Sequence, residues 1–557
     1  MIDLLIINAS VFNSFLKTFE KQNVSVKDGK FYYISDEDLH YLNPKEVLDA
    51  QGKYLIPGLI DIHMHIESSM VPPASFSPTA LSHGVTTIVA DSHEIANVFG
   101  VAGITAFMEQ ETEMDIFYAI PSSVPSTTMD RETTGGIIGV TEVRELLEHP
   151  KVIALGEAMN FKGITTEPDS LIRQILRETQ VLKPFMPLEG HIPRVSGEDL
   201  AKFMFVGLTA DHTHQSPDSI LEKAKNGIFL EFQKKSITPE NMAVINHYNL
   251  YEHMALITDD IMVDDFVTGH LDANVRLAIA AGLPAEEAIY TATYTPARRM
   301  GFQDRGAIMT GYQADFILLD DVPSFKIATV YKNGKQVSTA HPDMYFPESF
   351  YQSVQCRPLT EADLSFKVEK AMTCNVIAIQ KVGTFTEHVQ RTVAEKDGFL
   401  DWENSGLALI VVMERYGKNG NIGYGFVENA LNEKGAIATT WAHDHHNVMI
   451  MGTSIADILA AQHAVLEMQG GYVVSVDGVI TASCPLPIGG ILSDEPVPVL
   501  GKKLGEVRRE MQRLGYKNTN EIMSFSTLSL PVSPKLKITD FGMMDVHTHE
   551  LIPLMER

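Results

Sequence analysis

Two histidines stand two residues apart in Pro57-Gly58-Leu59-Ile60-Asp61-Ile62-His63-Met64-His65-Ile66-Glu67. The apolar residues around them read as a β-strand. Alternate side chains of a strand share a face, so His63 and His65 are rooted about 7 Å apart and both imidazoles can reach one cation. Alone, the pair suits a metal ligand set and an ordinary strand end equally well. Later apolar runs close on residues of the same kind: Glu157 after Val152-Ile153-Ala154-Leu155, His191 after Phe185 to Gly190, His212 after Leu208 to Asp211, and Asp259 after Met254 to Thr258. Brought to one mouth, His63, His65, Glu157, His191, His212 and Asp259 make a metal site able to activate water. Imidazoles and carboxylates accept several divalent ions, so the residues do not choose among them.

Other candidates surround this set. His93 and Glu94 follow the second apolar run and suit a third ion, a substrate contact or a structural hydrogen bond. Asp260 stands beside Asp259, and strand alternation puts the two on opposite faces, with one facing inward. His270 and Asp272 follow the last run, on a loop or helix start, as further candidates for a substrate or third-metal contact. His443-Asp444-His445-His446 reads either as a metal cluster or as a loop at a domain contact. Asp545-Val546-His547-Thr548-His549 repeats the first pattern, but only eight residues follow it, so a surface tail with an adventitious metal site is expected there.

The elements that must position these residues are visible as patterns. Eight short apolar runs, beginning at Leu59, Thr87, Ile116, Val152, Phe185, Leu208, Ile228 and Met254, alternate with longer amphipathic stretches. Eight runs in about 240 residues match a (β/α)8 barrel, whose chemistry gathers at the C-terminal ends of its strands. A doubly wound sheet is the rival, but no Gly-x-Gly-x-x-Gly follows the first run. Asp28-Gly29, Asn333-Gly334 and Asp477-Gly478 each separate two β-like runs and predict type I′ hairpins. Beyond about residue 360 the pattern changes to a separate α+β domain, with a helix expected from Ala456 to Gln469.

A chain of 557 residues buries a full core and is long enough for about three or four domains. Its 44 Lys and Arg against 71 Asp and Glu give a formal charge of −27, which repels phosphate backbones and anionic membranes. Neither nucleic acid nor a membrane is an expected partner. Three cysteines make no disulfide framework. No signal peptide and no apolar run of about 18 residues is found, so a cytoplasmic enzyme is expected.

The motifs together resemble the adenine deaminase family of the amidohydrolase superfamily. The resemblance runs through Asp61 to Met70, Gly84-Val85-Thr86-Thr87, Asp91-Ser92-His93-Glu94-Ile95-Ala96-Asn97-Val98, Gly156-Glu157-Ala158-Met159-Asn160-Phe161, Thr258-Asp259-Asp260, Gly269-His270-Leu271-Asp272 and Arg305-Gly306-Ala307-Ile308. It continues through Gly311 to Asp315, His443 to Asn447 and Leu530 to Pro534, nearly the whole chain. It implies a metal-dependent barrel over 58–301, a small β-sandwich from 1–57 and 302–350, and a C-terminal α+β domain over 351–557. It implies two divalent ions, with Mn2+ or Fe2+ favoured and Zn2+ possible, and hydrolysis of adenine to hypoxanthine and ammonia in purine salvage. His63 and His65 would hold one ion, His191 and His212 the other, and Glu157 would bridge them. Asp259, also able to touch a metal, would relay the proton. A homodimer is the expected assembly. The sequence departs from the family pattern at Ser92, Ser123, Ala158, Glu189, Thr213 and Tyr294-Thr295. The changes beside Glu157 and His212 leave open an amidohydrolase acting on another purine-like or cyclic amide or amidine substrate.

Overall fold

In the computed structural model, which describes residues 1–340 and 344–556, the eight apolar runs become eight strands. They are β1 (Leu59–Met64), β2 (Val85–Asp91), β3 (Asp115–Ile120), β4 (Val152–Ala158), β5 (Leu188–Gly190), β6 (Ala210–Asp211), β7 (Phe229–Phe232) and β8 (Met254–Leu256). β1 to β5 lie side by side in chain order, as do β6 to β8, and every pairing is parallel. The Thr209 N–H donates to the Leu188 carbonyl (3.3 Å) and joins the two sheets. The Asp259 N–H donates to the His63 carbonyl (3.1 Å), so the end of β8 meets β1 and closes the ring. β5 starts later than its apolar run because Pro184 and Pro187 carry no N–H to donate.

Helices follow each strand and cover the outside. Leu171–Leu182 shows why they form: Ser170 accepts the Arg173 N–H at its start, and Ile172, Ile175, Leu176 and Thr179 recur on one buried face. Each of those aliphatic side chains contributes about 1.5–3 kcal/mol by leaving water. Inside the barrel, Ile60, Ile62, Val89, Ala119, Ala154, Ala255 and Ile257 fill the floor beneath the mouth.

Both flanks of the barrel join one eight-stranded sheet. Tyr54–Pro57, just before β1, pairs antiparallel with Phe316–Asp321, just after the last barrel helices. Strand Ile2–Asn13 carries two parallel neighbours in succession, Pro44–Asp49 and Tyr54–Pro57, with a register slip between Ile6 and Ala9. The split folds the sheet over a core of Leu4, Val24, Val26, Phe31, Leu55 and Phe316. The segment 302–350 includes residues 341–343, which lie outside the described residues. All three hairpins occur, with positive φ at Asp28, Asn333 and Asp477 and at the glycine after each, as a type I′ turn requires.

The C-terminal part is a second eight-stranded sheet between two helices. Ile455–Glu467 packs on the face carrying Leu409, Val411 and Ile450. Val497–Arg513 lies with Ile437, Met451 and Val474 on the other, which is continuous with the barrel core. Arg508 pairs with Asp264 (2.9 Å) beyond β8, and the Trp441 indole N–H reaches the Glu67 carbonyl (3.4 Å). The sheet is thereby seated over the barrel mouth. Among the described residues, no helix is long and apolar enough to cross a membrane.

Candidate active site

The register of β1 slips between Asp61 and Met64. The slip interrupts strict alternation, so Ile62 stays in the barrel floor while His63 and His65 both reach the mouth. Asp61 points the other way and accepts from the Thr258 hydroxyl (2.5 Å), tying β1 to the end of β8.

Glu157, at the end of β4, lies between two sets of imidazoles. Its Oε2 is 2.7 Å from His191 Nδ1 and 3.1 Å from His212 Nε2, while Oε1 is 3.5 Å from His65 Nε2. His65 Nε2 is also 3.3 Å from Asp259 Oδ1. The His63 ring stacks on His212 with centroids 3.9 Å apart. Two groups of ligand atoms, one from His63, His65 and Asp259 and one from His63, Glu157 and His212, each lie within 4.8 Å of one another.

Their supports are specific. The Asp91 carboxylate accepts the Glu157 backbone N–H (2.8 Å), and the Asp91 carbonyl binds His65 Nδ1 (2.9 Å), leaving Nε2 for the mouth. This close approach needs Gly156, since a Cβ there would stand 2.2 Å from the Asp91 carboxylate. Asp211 accepts the Ile192 and Thr213 N–H groups (3.0 and 3.2 Å) and so fixes the backbone beside His191 and His212. Lys223, buried 2.5 Å away, balances its charge. Gln233 donates to the His212 carbonyl (3.0 Å) and to Asp259 Oδ2.

The electrostatics favour cations. Burial alone would raise the Glu157 carboxyl, but His212 and His191 outweigh it and hold Glu157 well below the usual range. Asp259 follows the same pattern: burial opposes ionisation, and His212 and His65 overcome it. Burial and the neighbouring His212 depress His63, which keeps its ring neutral. Its Nε2 is buried without a hydrogen-bond partner, as is His212 Nδ1. Among the described residues no Lys or Arg nitrogen forms an ion pair with Glu157, Asp259, Asp91 or Asp444; their partners are histidines. Buried carboxylates of this number need positive charge, and a donor set of imidazole and carboxylate fits divalent metals.

The remaining candidates separate. Asp259 and Asp260 both line the cavity above the cluster, which strand alternation does not allow. The reason is that β8 ends at Leu256 and Asp259 turns through a positive φ of 61°. Asp260 is bonded to Ser68 Oγ (2.6 Å) rather than to an imidazole. His93 lines the cavity, whereas Glu94 lies behind it against His443 (3.3 Å). His270 and Asp272 do not reach it. His270 packs on Phe76 and Phe266 outside β1, and Asp272 accepts the His270 N–H (2.7 Å) at a helix start, so both support structure. His547 and His549 belong to a turn fastened by Asp545, which accepts the His547 N–H (3.0 Å), and line a neighbouring cavity instead.

The cavity, of about 130 Å³, has a floor from the barrel and a roof from the C-terminal sheet and its loops. That is well below the ~300–1,000 Å³ of drug-sized sites, so it suits a small flat molecule. Phe385, Leu530 and Pro534 give it apolar walls, and the Arg194 guanidinium lies 4.0 Å over the Phe385 ring. Gln233, Lys235 and Asp91 go unnoticed as site residues in the sequence, and Asp444 is seen there only within the His443–His446 run. Asp91 alone carries a signal, a carboxylate ending an apolar run.

A family model described as the amidohydrolase family matches residues 54–337, and one described as the adenine deaminase C-terminal domain matches residues 383–550. The chain is 50% identical, over 99% of its length and 98% of the relative's, to Adenine deaminase 2 of Oenococcus oeni. It is 48% identical to the adenine deaminase of Lactobacillus delbrueckii subsp. bulgaricus, over 100% of this chain and 99% of that one. Identity and coverage are the same for the adenine deaminase of Clostridium perfringens.

Proposed function

The chain belongs to the adenine deaminase family of the amidohydrolases, and from that premise we propose that it hydrolyses adenine to hypoxanthine and ammonia at the barrel mouth. The observation that carries this reading is the placement of Glu157, whose two oxygens face His191 and His212 on one side and His65 on the other. His63 and His65 would hold one divalent ion and His191 and His212 the second, with Glu157 between them and Asp259 at the edge of the first. Mn2+ or Fe2+ suits these nitrogen and oxygen donors, and Zn2+ is an alternative. When bound, such a pair polarises water so that it ionises near neutral pH.

The chain's own residues do the rest. Asp259, fixed by Gln233, accepts the proton of the attacking water at Oδ1 or Oδ2. It then delivers that proton to the ring or to the departing amino group. One water enters for each ammonia lost, and the amino-bearing carbon becomes a carbonyl carbon. Phe385 and Leu530, both lining the cavity, would pack against a flat purine and help exclude bulk water.

Ammonia release from a panel of purines, pterins and cyclic ureas, with Mn2+ supplied, tests the assignment. Adenine should be turned over best, with hypoxanthine as product. Preferred turnover of a pterin or cyclic urea would replace adenine with another cyclic amide or amidine.

A further inference from the structure

Beside the Glu157 cluster stands a second convergence of ligands, drawn from both parts of the chain. His93 begins the helix after β2, and His443 and Asp444 descend from the C-terminal sheet. One ligand atom from each lies within 4.8 Å of the others, and all three residues are buried. His93 Nε2 is 3.9 Å from Asp444 Oδ1, and His443 Nδ1 is 3.2 Å from the same oxygen. Ligand atoms about 2.1 Å from one ion stand no more than about 4.2 Å apart, and both separations meet that bound.

Two further observations point to a ligand. Asp444 Oδ2 and His443 Nε2 are buried without any hydrogen-bond partner, although an unpaired buried polar atom costs about 1–3 kcal/mol. An outer carboxylate also stands where it would orient one imidazole: Asp91 Oδ1 is 3.6 Å from His93 Nδ1, leaving Nε2 for the ion.

We propose that His93, His443 and Asp444 hold a third divalent transition-metal ion, separate from the pair at Glu157, that fastens the C-terminal domain to the barrel. The ion would be shared between residues about 350 positions apart in the chain, so its binding stabilises the closed arrangement by mass action. The site is independent of which purine or cyclic amide the enzyme consumes.

Equilibrium dialysis of the chelator-stripped full chain against Mn2+, with bound metal counted by elemental analysis, tests this. Three equivalents per chain are expected for the unaltered protein. His443→Gln and Asp444→Asn should each bind two, as should His63→Ala, and His63→Ala combined with His443→Gln should bind one. Circular dichroism checks that each variant is folded. Saturation of the unaltered protein at two equivalents overturns the proposal whatever the variants do. So does a folded His443→Gln that binds as many ions as the unaltered chain, which would return His93 to the His65 and Glu157 group.

Discussion

Asp259 touches an imidazole of the cluster and, like Glu157, opens into the cavity, and the proposed proton relay rests on it. Asp259→Asn should lower kcat by about 10²–10⁴-fold while adenine still binds, because removal of a positioned base affects the proton transfer first. Asp260→Asn should fall well short of that loss, since Asp260 holds Ser68 and no ring of the cluster. Steady-state kinetics of the two at equal metal content decide; a dead Asp260→Asn beside an active Asp259→Asn would reverse their roles. Glu157 makes a different prediction. Facing imidazoles on both sides, it would contribute charge to both of the proposed ions, so Glu157→Gln should weaken both in a metal count. Full metal occupancy with only the rate lost would make Glu157 an acid or base instead.

The strands and helices behind these residues carry their own charges. Asp211 and Lys223 are both buried and fix the backbone around His212. Lys223→Met leaves that carboxylate unpaired and should cost about 3–5 kcal/mol, read as a lower urea midpoint. At the start of helix Leu271–Ala280, burial would raise the Asp272 carboxyl, but His83, the His270 N–H and Arg276 bring it down to about 2. Its folded pKa lies below the unfolded value of 3.8, so its stabilisation is complete above about pH 4 and is lost as pH falls toward 2. The depression is worth about 2 kcal/mol, and Asp272→Asn should remove that much of the acid dependence. An unchanged slope of the melting midpoint between pH 5 and 2 would contradict it. The same elements show what the sequence reveals. The barrel strands are legible because each is a short apolar run and many of them end in a polar residue. The turns are legible because Asp-Gly and Asn-Gly supply positive φ. The slip at Ile62 and the turn at Asp259 are not, because both break the period-two pattern by which strands are recognised. His270 and Asp272 mislead because a helix start uses the same residue types as a site.

At the scale of the whole molecule, the barrel mouth is closed by a sheet more than a hundred residues further along the chain. This closure cannot be read from local patterns: Asp444 comes beside His93, and Phe385 beneath Arg194, only through tertiary packing. Phe385→Ala should open the roof and raise KM for adenine by about 5–150-fold, the range expected from losing one base-on-ring stack, with a smaller change in kcat. An unchanged KM would remove the roof from substrate binding. The central claim is that this closed mouth uses divalent metal to deaminate adenine. It is tested most directly by following ammonia and hypoxanthine from adenine with chelator-stripped protein, before and after Mn2+ is restored. No turnover is expected without metal, then recovery with one hypoxanthine formed for each ammonia. Undiminished turnover by the stripped protein, or no hypoxanthine from the restored one, would contradict it.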